Sequence, residues 1–352
     1  MSANAPVTHF LDLTTLRRER LLPVSGKVLA RRGQRVNASD VVAEALLHPE
    51  HILLDVARGL GVPADKADQY IQHKAGDEVA EGDLLAGPVG MARRALRAPR
   101  SGRVVVAGDA QILLQVDTAP FELHAGYPGT VVDLVEDRGV VIETVGMLVQ
   151  GVWGNGRTHY GLLRLLGQDP AMEILPAHLD VSQRGAVLMA GTCQDASVLS
   201  AGDELPLRGL ILGSMDSSLE AAARRAHYPI ILLDGFGSLP MNPQAHQLLA
   251  ASSGREVAIN AEVWDRYRNT RPEVVIGMTD RGNPSMASDV AVHSVGQKVR
   301  LISPPYMARL GTITRLPGVV VVPSGVRTQA AEVRLDEKTT VLVPIANLEI
   351  LE

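Results

Sequence analysis

Cysteine is nearly absent from this chain of 352 residues, Cys193 being the only one. That excludes an intramolecular disulfide, a cysteine zinc cluster and a CxxCxxC iron–sulfur run, and it fits a reducing compartment. Aromatic residues make up only 3% of a sequence that is 46% hydrophobic, so its cores must be aliphatic. No apolar run approaches the roughly 18 residues of a membrane span. The opening MSANAPVTHFLDLTTLRRER has no apolar segment of signal-peptide length. The expectation is a cytoplasmic protein without membrane insertion. Neither sign of charge dominates: 34 Lys and Arg face 39 Asp and Glu, a net charge of −5 that does not favour general nucleic-acid affinity. Phosphate loops of the GxGxxG or GxxxxGKS/T type are missing, as is a convincing nucleophile–base pair.

What is present is turn chemistry, with 33 glycines and 21 prolines. One pattern is written twice at an offset of 43: Gly33-Gln-Arg-Val36-Asn-Ala-Ser-Asp40-Val-Val-Ala43 and Gly76-Asp-Glu-Val79-Ala-Glu-Gly-Asp83-Leu-Leu-Ala86. Around it sits a second pair, Pro23-Val-Ser-Gly26-Lys-Val28 and Pro99-Arg-Ser-Gly102-Arg-Val104. Pro and Gly set a turn, alternation then starts a strand, and the aspartate opens the next turn. Two such half-motifs about a pseudo-twofold axis predict one compact unit over residues 21–120, following an N-terminal arm at 1–20. Val36 and Val79 are expected in a shared core. Residues 50–75 are expected as a helical insert, because Ile52, Val56 and Leu60 fall on one helix face.

Residues 121–178 continue in β form. Tyr127-Pro-Gly129-Thr-Val131 repeats the turn-then-strand pattern a third time, and Asn155-Gly156 predicts a type I′ hairpin. Trp153, Arg157, His159 and Tyr160 crowd around that dipeptide, either as a hairpin with a core plug or as a partner-binding loop. From 179 to 265, apolar runs alternate with capped helical segments, which predicts a small, mostly parallel α/β unit. Ligands of such units sit at strand carboxyl ends beside helix starts, so Gly213, Ser214, Ser217 and Ser218, with Gly235, Gly237 and Ser238, are the candidate anion site. Cys193 lies at a third such end, either as a thiolate lowered by a helix dipole or as an inert buried residue. His48-Pro-Glu-His51 is the best metal-like cluster, but no third ligand is identifiable and no metal is expected. Residues 290–352 read as short strands carrying seven basic against five acidic residues from 295 onward.

Several segments resemble known families. "GDEVAEGDLLA" followed by "LRAPRSGRVVVAG" resembles the barrel-sandwich hybrid of biotinyl and lipoyl carrier domains, most of all the version found in the Rnf electron-transport complex. The Met-Lys-Met hairpin of a biotinyl domain is missing. Asp65-Lys66-Ala67 stands in a helical pattern rather than on a lipoyl hairpin, so no cofactor is expected. The loops at 213–218 and 234–238 resemble swivelling phosphohistidine domains, with Ser217 and Ser218 where that family needs histidine. The end of the chain resembles a KOW-type, SH3-like barrel, with Ala308 in place of the usual glycine. The whole order of modules is similar to an uncharacterised bacterial family associated with glutamate mutase activators.

The fold class expected is therefore multidomain and mainly β: a barrel-sandwich hybrid with a helical insert, a further β unit, a small α/β unit and a C-terminal SH3-like barrel. The leading functional reading is a non-catalytic scaffold docking protein partners. The alternatives are an anion- or nucleic-acid-binding module, and an enzyme with its site in the 191–238 loops. Nucleic acid would approach through the terminal barrel, or through an arginine patch formed by Arg94, Arg97 and Arg100 with Arg93, Arg103, Arg31, Arg32 and Arg35, a patch that would equally attract an acidic protein partner.

Overall fold

The computed structural model describes residues 4–47, 50–116, 119–265, 270–278, 284, 286–288, 290–335 and 339–352. It is a multidomain, mainly β architecture of several sheets with a few short helices. No helix among the described residues is long and apolar enough to cross a membrane.

An 11-stranded sheet forms the centre. The strands Ala186–Cys193, Gly209–Met215 and Ile230–Phe236 run parallel, and Thr158–Leu165 joins them in parallel register with Ala186–Cys193. Their sequences read as continuous apolar runs because both faces are covered. Val187, Met189, Ile211, Ile231 and Leu233 point into one core, while Leu188, Ala190, Leu210, Leu212 and Ile230 point into another. The helices Ala196–Glu204 and Glu220–Arg225 cover the second. The helix Pro243–Ala250, capped by Asn242, plugs the first with Ala245 and Leu249.

The central sheet returns on itself. Gly139–Gln150 pairs with Glu273–Gly277, and its continuation Trp153–Gly154 pairs with Ile230–Phe236. Asn155-Gly156 is therefore no hairpin, since the strands on either side of it are not neighbours. Asn155 instead donates to the carbonyls of Ala223 and Tyr228 and accepts from Ile230 N, while Gly156 N bonds Ala261 O. These contacts close the barrel and override the local turn preference. The boundary expected at 178 thus falls inside one continuous sheet.

The repeated motifs build two cores, not one. Val36 belongs to a cluster with Leu22, Val42, Ala43, Leu123, Tyr127, Val131 and Ile142. Val79 belongs to another, with Val56, Leu60, Leu85, Val104, Ile112 and Leu114. The expected single unit over 21–120 is corrected accordingly: residues 50–116 form an inserted unit, and the strand Val41–Ala45 before it pairs with Phe121–His124 after it. The two units share one register. Val36 lies opposite Gly129 and Val79 opposite Gly102. Gly33 N bonds Val131 O at 2.7 Å, as Gly76 N bonds Val104 O at 2.7 Å. Asp40 accepts from Asn37 N and Asp83 from Ala80 N, each at 2.8 Å.

The helical insert is also shorter than expected. Glu50–Asp55 is a strand paired with Gln111–Val116, and the first helix, Val56–Leu60, starts where Asp55 accepts from Arg58 N. The alternation of half-buried Ile52 and Leu54 with exposed Leu53 is the period that wins there.

Glycines carry the close strand approaches, Gly26, Gly102 and Gly129 in the repeats among them. A Cβ on Gly26, Gly102 or Gly129 would lie 2.3, 2.1 or 2.3 Å from the carbonyl oxygen of Glu44, Gln115 or Glu143. Backbone cannot yield as a flexible side chain can, so Gly102→Ala and Gly129→Ala are each expected to cost roughly 1–3 kcal/mol. Urea unfolding measures this, and a change within roughly 0.5 kcal/mol, the scale of a neutral surface substitution, would contradict it.

A 7-stranded sheet made from both chain ends completes the molecule. Asn4–Thr8 runs parallel to Leu348–Leu351 and antiparallel to Val290–Val292. The next strand, Phe10–Leu21, crosses into the central sheet against Gly139–Gln150. Arg18 is paired at 2.7 Å with Glu273, which also accepts from the buried Tyr127 hydroxyl. Burial, with Glu273 adding to it, holds that hydroxyl well above its ordinary pKa.

Candidate functional site

The terminal sheet is stapled to the barrel by buried charge. Arg300 and Glu349 are direct cross-strand partners, and each is flanked on both sides by buried apolar neighbours, Val299 and Leu301 in one strand and Leu348 and Ile350 in the other. Arg300 is 2% exposed and Glu349 6%. Burial at that depth requires complete pairing. Arg300 donates to Glu349 Oε2 at 2.9 and 2.6 Å, to Asp234 Oδ1 at 2.7 Å and to Leu233 O at 2.9 Å. Arg271 donates to Glu349 Oε1 at 2.8 Å and to Val7 O at 2.7 Å, and the Thr8 hydroxyl also donates to Glu349. Asp234, at the carboxyl end of a barrel strand, accepts from Asn242 N at 2.7 Å.

The two carboxylates respond differently. Burial alone would raise Glu349, but Arg300 and Arg271 outweigh it and hold the group at about 2. Asp234 has Arg300 as its cationic partner, and burial leaves it raised. Beside this network lies a cavity of about 800 Å³ with a mainly apolar wall, including Phe236, Trp264, Leu301, Ile302, Met307 and Leu348. His293 also lines it, 8% exposed, with Nε2 buried and without a hydrogen-bond partner among the described residues. Burial lowers the His293 pKa, so the ring is neutral near pH 7.

The anion site expected at the strand ends is assembled but already filled from within. Ser214 lies opposite Gly235 and Met215 opposite Phe236, so the two loops are side by side. Yet Ser214 is fully buried and donates to Leu239 O at 2.7 Å, and Gly213 is pressed against the Met241 backbone. Ser218 spends its hydroxyl and its amide on Asp216 Oδ1, at 2.6 and 2.8 Å. Those bonds hold the Asp216 carboxyl below the usual range, so an anion already sits where the sequence pattern places phosphate. Ser217 and Ser238 are exposed. Gly235 lines the cavity instead, and Gly237 bonds Met215 O and Gln194. Burial pushes the Cys193 thiol up to about 11, which removes the lowered-thiolate reading.

The aromatic group divides. Trp153 packs edge-on to Phe236 with Arg224 over its ring at 5.5 Å, whereas His159 and Tyr160 meet edge to face on the Thr158–Leu165 strand, with Arg208 over the Tyr160 ring. Arg157 is exposed.

Four arginines of the expected patch each have a contact of their own. Arg94 covers Gly61, Arg97 donates to Gly82 O at 2.8 Å, Arg100 pairs with Glu50 at 2.6 Å and Arg103 with Glu78 at 3.1 Å. Arg31, Arg32 and Arg35 belong to the other repeat, which has a separate core. Lys66 sits exposed in the short helix Ala64–Ala67. Of the metal-like cluster, His51 is exposed on a strand, and His48 and Pro49 lie outside the described residues. Among the described residues no His, Cys, Asp and Glu cluster is placed to hold a metal.

No family model matches the chain, and neither does any curated protein sequence. Among solved structures, a likeness at 12% identity and a TM-score of 0.23 is found to an S-adenosylmethionine: 2-dimethylmenaquinone methyltransferase from Geobacillus kaustophilus HTA426. It covers 38% of this chain and 92% of that one, and at that TM-score it carries no argument.

Proposed function

We propose that this chain is a cytoplasmic, non-catalytic scaffold that docks protein partners through its inserted β unit. The observation that carries the reading is the insertion itself: residues 50–116 have their own core, and the strands before and after them pair with each other. Such an arrangement displays a module away from a body that folds without it. Leu53, Met91 and Val106 are exposed on that unit at 59%, 105% and 48%, apolar contacts available to a partner. We read both repeats as barrel-sandwich hybrids of the carrier type that lack a carrier lysine, and the terminal sheet as SH3-like. On this reading the chain belongs with the bacterial proteins associated with glutamate mutase activators.

The test replaces residues 48–117 with a short Gly-Ser link. The truncated chain is expected to unfold cooperatively and to lose the partners that cross-linking at native abundance recovers with the full chain. Retention of the same partners would sink the reading.

A further inference from the structure

We propose that the cavity between the barrel and the terminal sheet is a binding site for a small, neutral, largely apolar ring compound carrying one hydrogen-bonding group, which His293 receives. This goes beyond the scaffold reading and does not depend on it.

Size and place come first. A space of about 800 Å³ lies in the range of small-molecule sites, and the boundary between two folded units is a usual location for them. Its polar floor is closed to a charged ligand. Arg300, Glu349 and Asp234 already spend their charges on one another, with Arg271 completing two cations against two carboxylates. An ionic group entering here would lose its water without gaining an unspent counter-charge.

Among the described residues that line the cavity, the buried side-chain polar atom left without a partner is His293 Nε2. An orphan of this kind is costly unless a ligand supplies the missing bond, and a hydroxyl, amine N–H or carbonyl does so according to the tautomer. Shape comes from the aromatic walls. The Trp264 ring is pinned by Arg271, whose guanidinium carbon lies 4.7 Å from the ring centroid, and Phe236 is held edge-on by Trp153 at 5.6 Å. Rings fixed in this way offer flat surfaces without an ordering cost, which favours a planar ligand. Trp264, Ile302 and Met307 are also exposed at 41%, 49% and 50%, so the wall reaches the surface and gives a ligand an apolar way in.

The test uses the full chain and the neutral probe N-phenyl-1-naphthylamine, which is apolar and has one N–H. Saturable one-to-one binding is expected, read from the probe's own emission. Ala346, exposed at the cavity lip, is replaced by tryptophan to obstruct entry. Ala346→Trp is expected to weaken binding at least about tenfold. His293→Leu is expected to weaken it about fivefold, while 2-phenylnaphthalene, which lacks the N–H, binds that variant at least as well as the parent. Thermal unfolding checks both folds, and Met307→Trp replaces the lip variant if Ala346→Trp does not fold. Absence of saturable binding would overturn the proposal. So would a folded lip variant with unchanged affinity, or equal losses of both probes in His293→Leu.

Discussion

Exchanging Glu349 for leucine is expected to remove about 3–5 kcal/mol of stability, the cost of breaking a buried ion pair from one side. The substitution leaves Arg300 and Arg271 buried with their shared acceptor gone; they are only 2% and 5% exposed. The pH dependence gives an independent check. Glu349 is held at about 2 in the fold, against 4.5 for an ordinary glutamate, so folding favours its ionised form. Its contribution is fully present above 4.5 and is lost as pH falls towards about 2. At 1.36 kcal/mol per unit this amounts to about 3 kcal/mol. The gap between the parent and Glu349→Leu in urea melts should therefore narrow across that window. A gap that stays flat would mean that the carboxylate is not what stabilises the seam. Asp234 runs the other way. Burial raises it, so its charge costs stability at neutral pH and the cost fades on acidification. Asp234→Asn should accordingly lose less than Glu349→Leu at pH 7.

The parts of this fold that were legible in the sequence are those whose cause is local. Ala186–Cys193, Gly209–Met215 and Ile230–Phe236 announce themselves as strands because burial on both faces keeps the first four residues of each free of polar side chains. The Gly-x-x-Val-x-x-x-Asp turns announce themselves because each aspartate bonds an amide three residues back. What local chemistry does not encode is the choice between equivalent partners. Gly102 and Gly129 present the same approach to a neighbouring strand, and nothing within either motif says that Val36 takes the distant one and Val79 the near one. Asn155-Gly156 shows the same limit: a strong turn signal yields to a barrel closure made by residues far along the chain.

The candidate site was legible only in fragments. Asp234 marks a strand end, and Arg300 and Glu349 are lone charges inside the apolar runs Val299-Arg300-Leu301 and Leu348-Glu349-Ile350. A single charge between buried neighbours signals a partner on the facing element, and that signal points to the network without naming its members. His293 carries no such mark, because its environment is made by the meeting of two sheets.

Separate cores imply separate stability, and the insert is where the second large effect should appear. Leu114 is fully buried among Val56, Leu85, Val104 and Ile112. Leu114→Ala is expected to cost about 2–5 kcal/mol, the range for a buried leucine that leaves a cavity. The loss should stay within residues 50–116, because the core around Val36 shares no buried side chain with the core around Leu114. Hydrogen exchange reads both at once through matched amides. Gly76 N and Val104 N, which bond Val104 O and Asp77 O, should lose protection by the full amount. Gly33 N and Val131 N, which bond Val131 O and Gln34 O in the other repeat, should keep theirs. Ile142→Ala, in that other core, should reverse the pattern. If either substitution lowers protection at all four amides by one common free energy, the two repeats unfold as a single unit, and the insert cannot serve as a module displayed from an independent body.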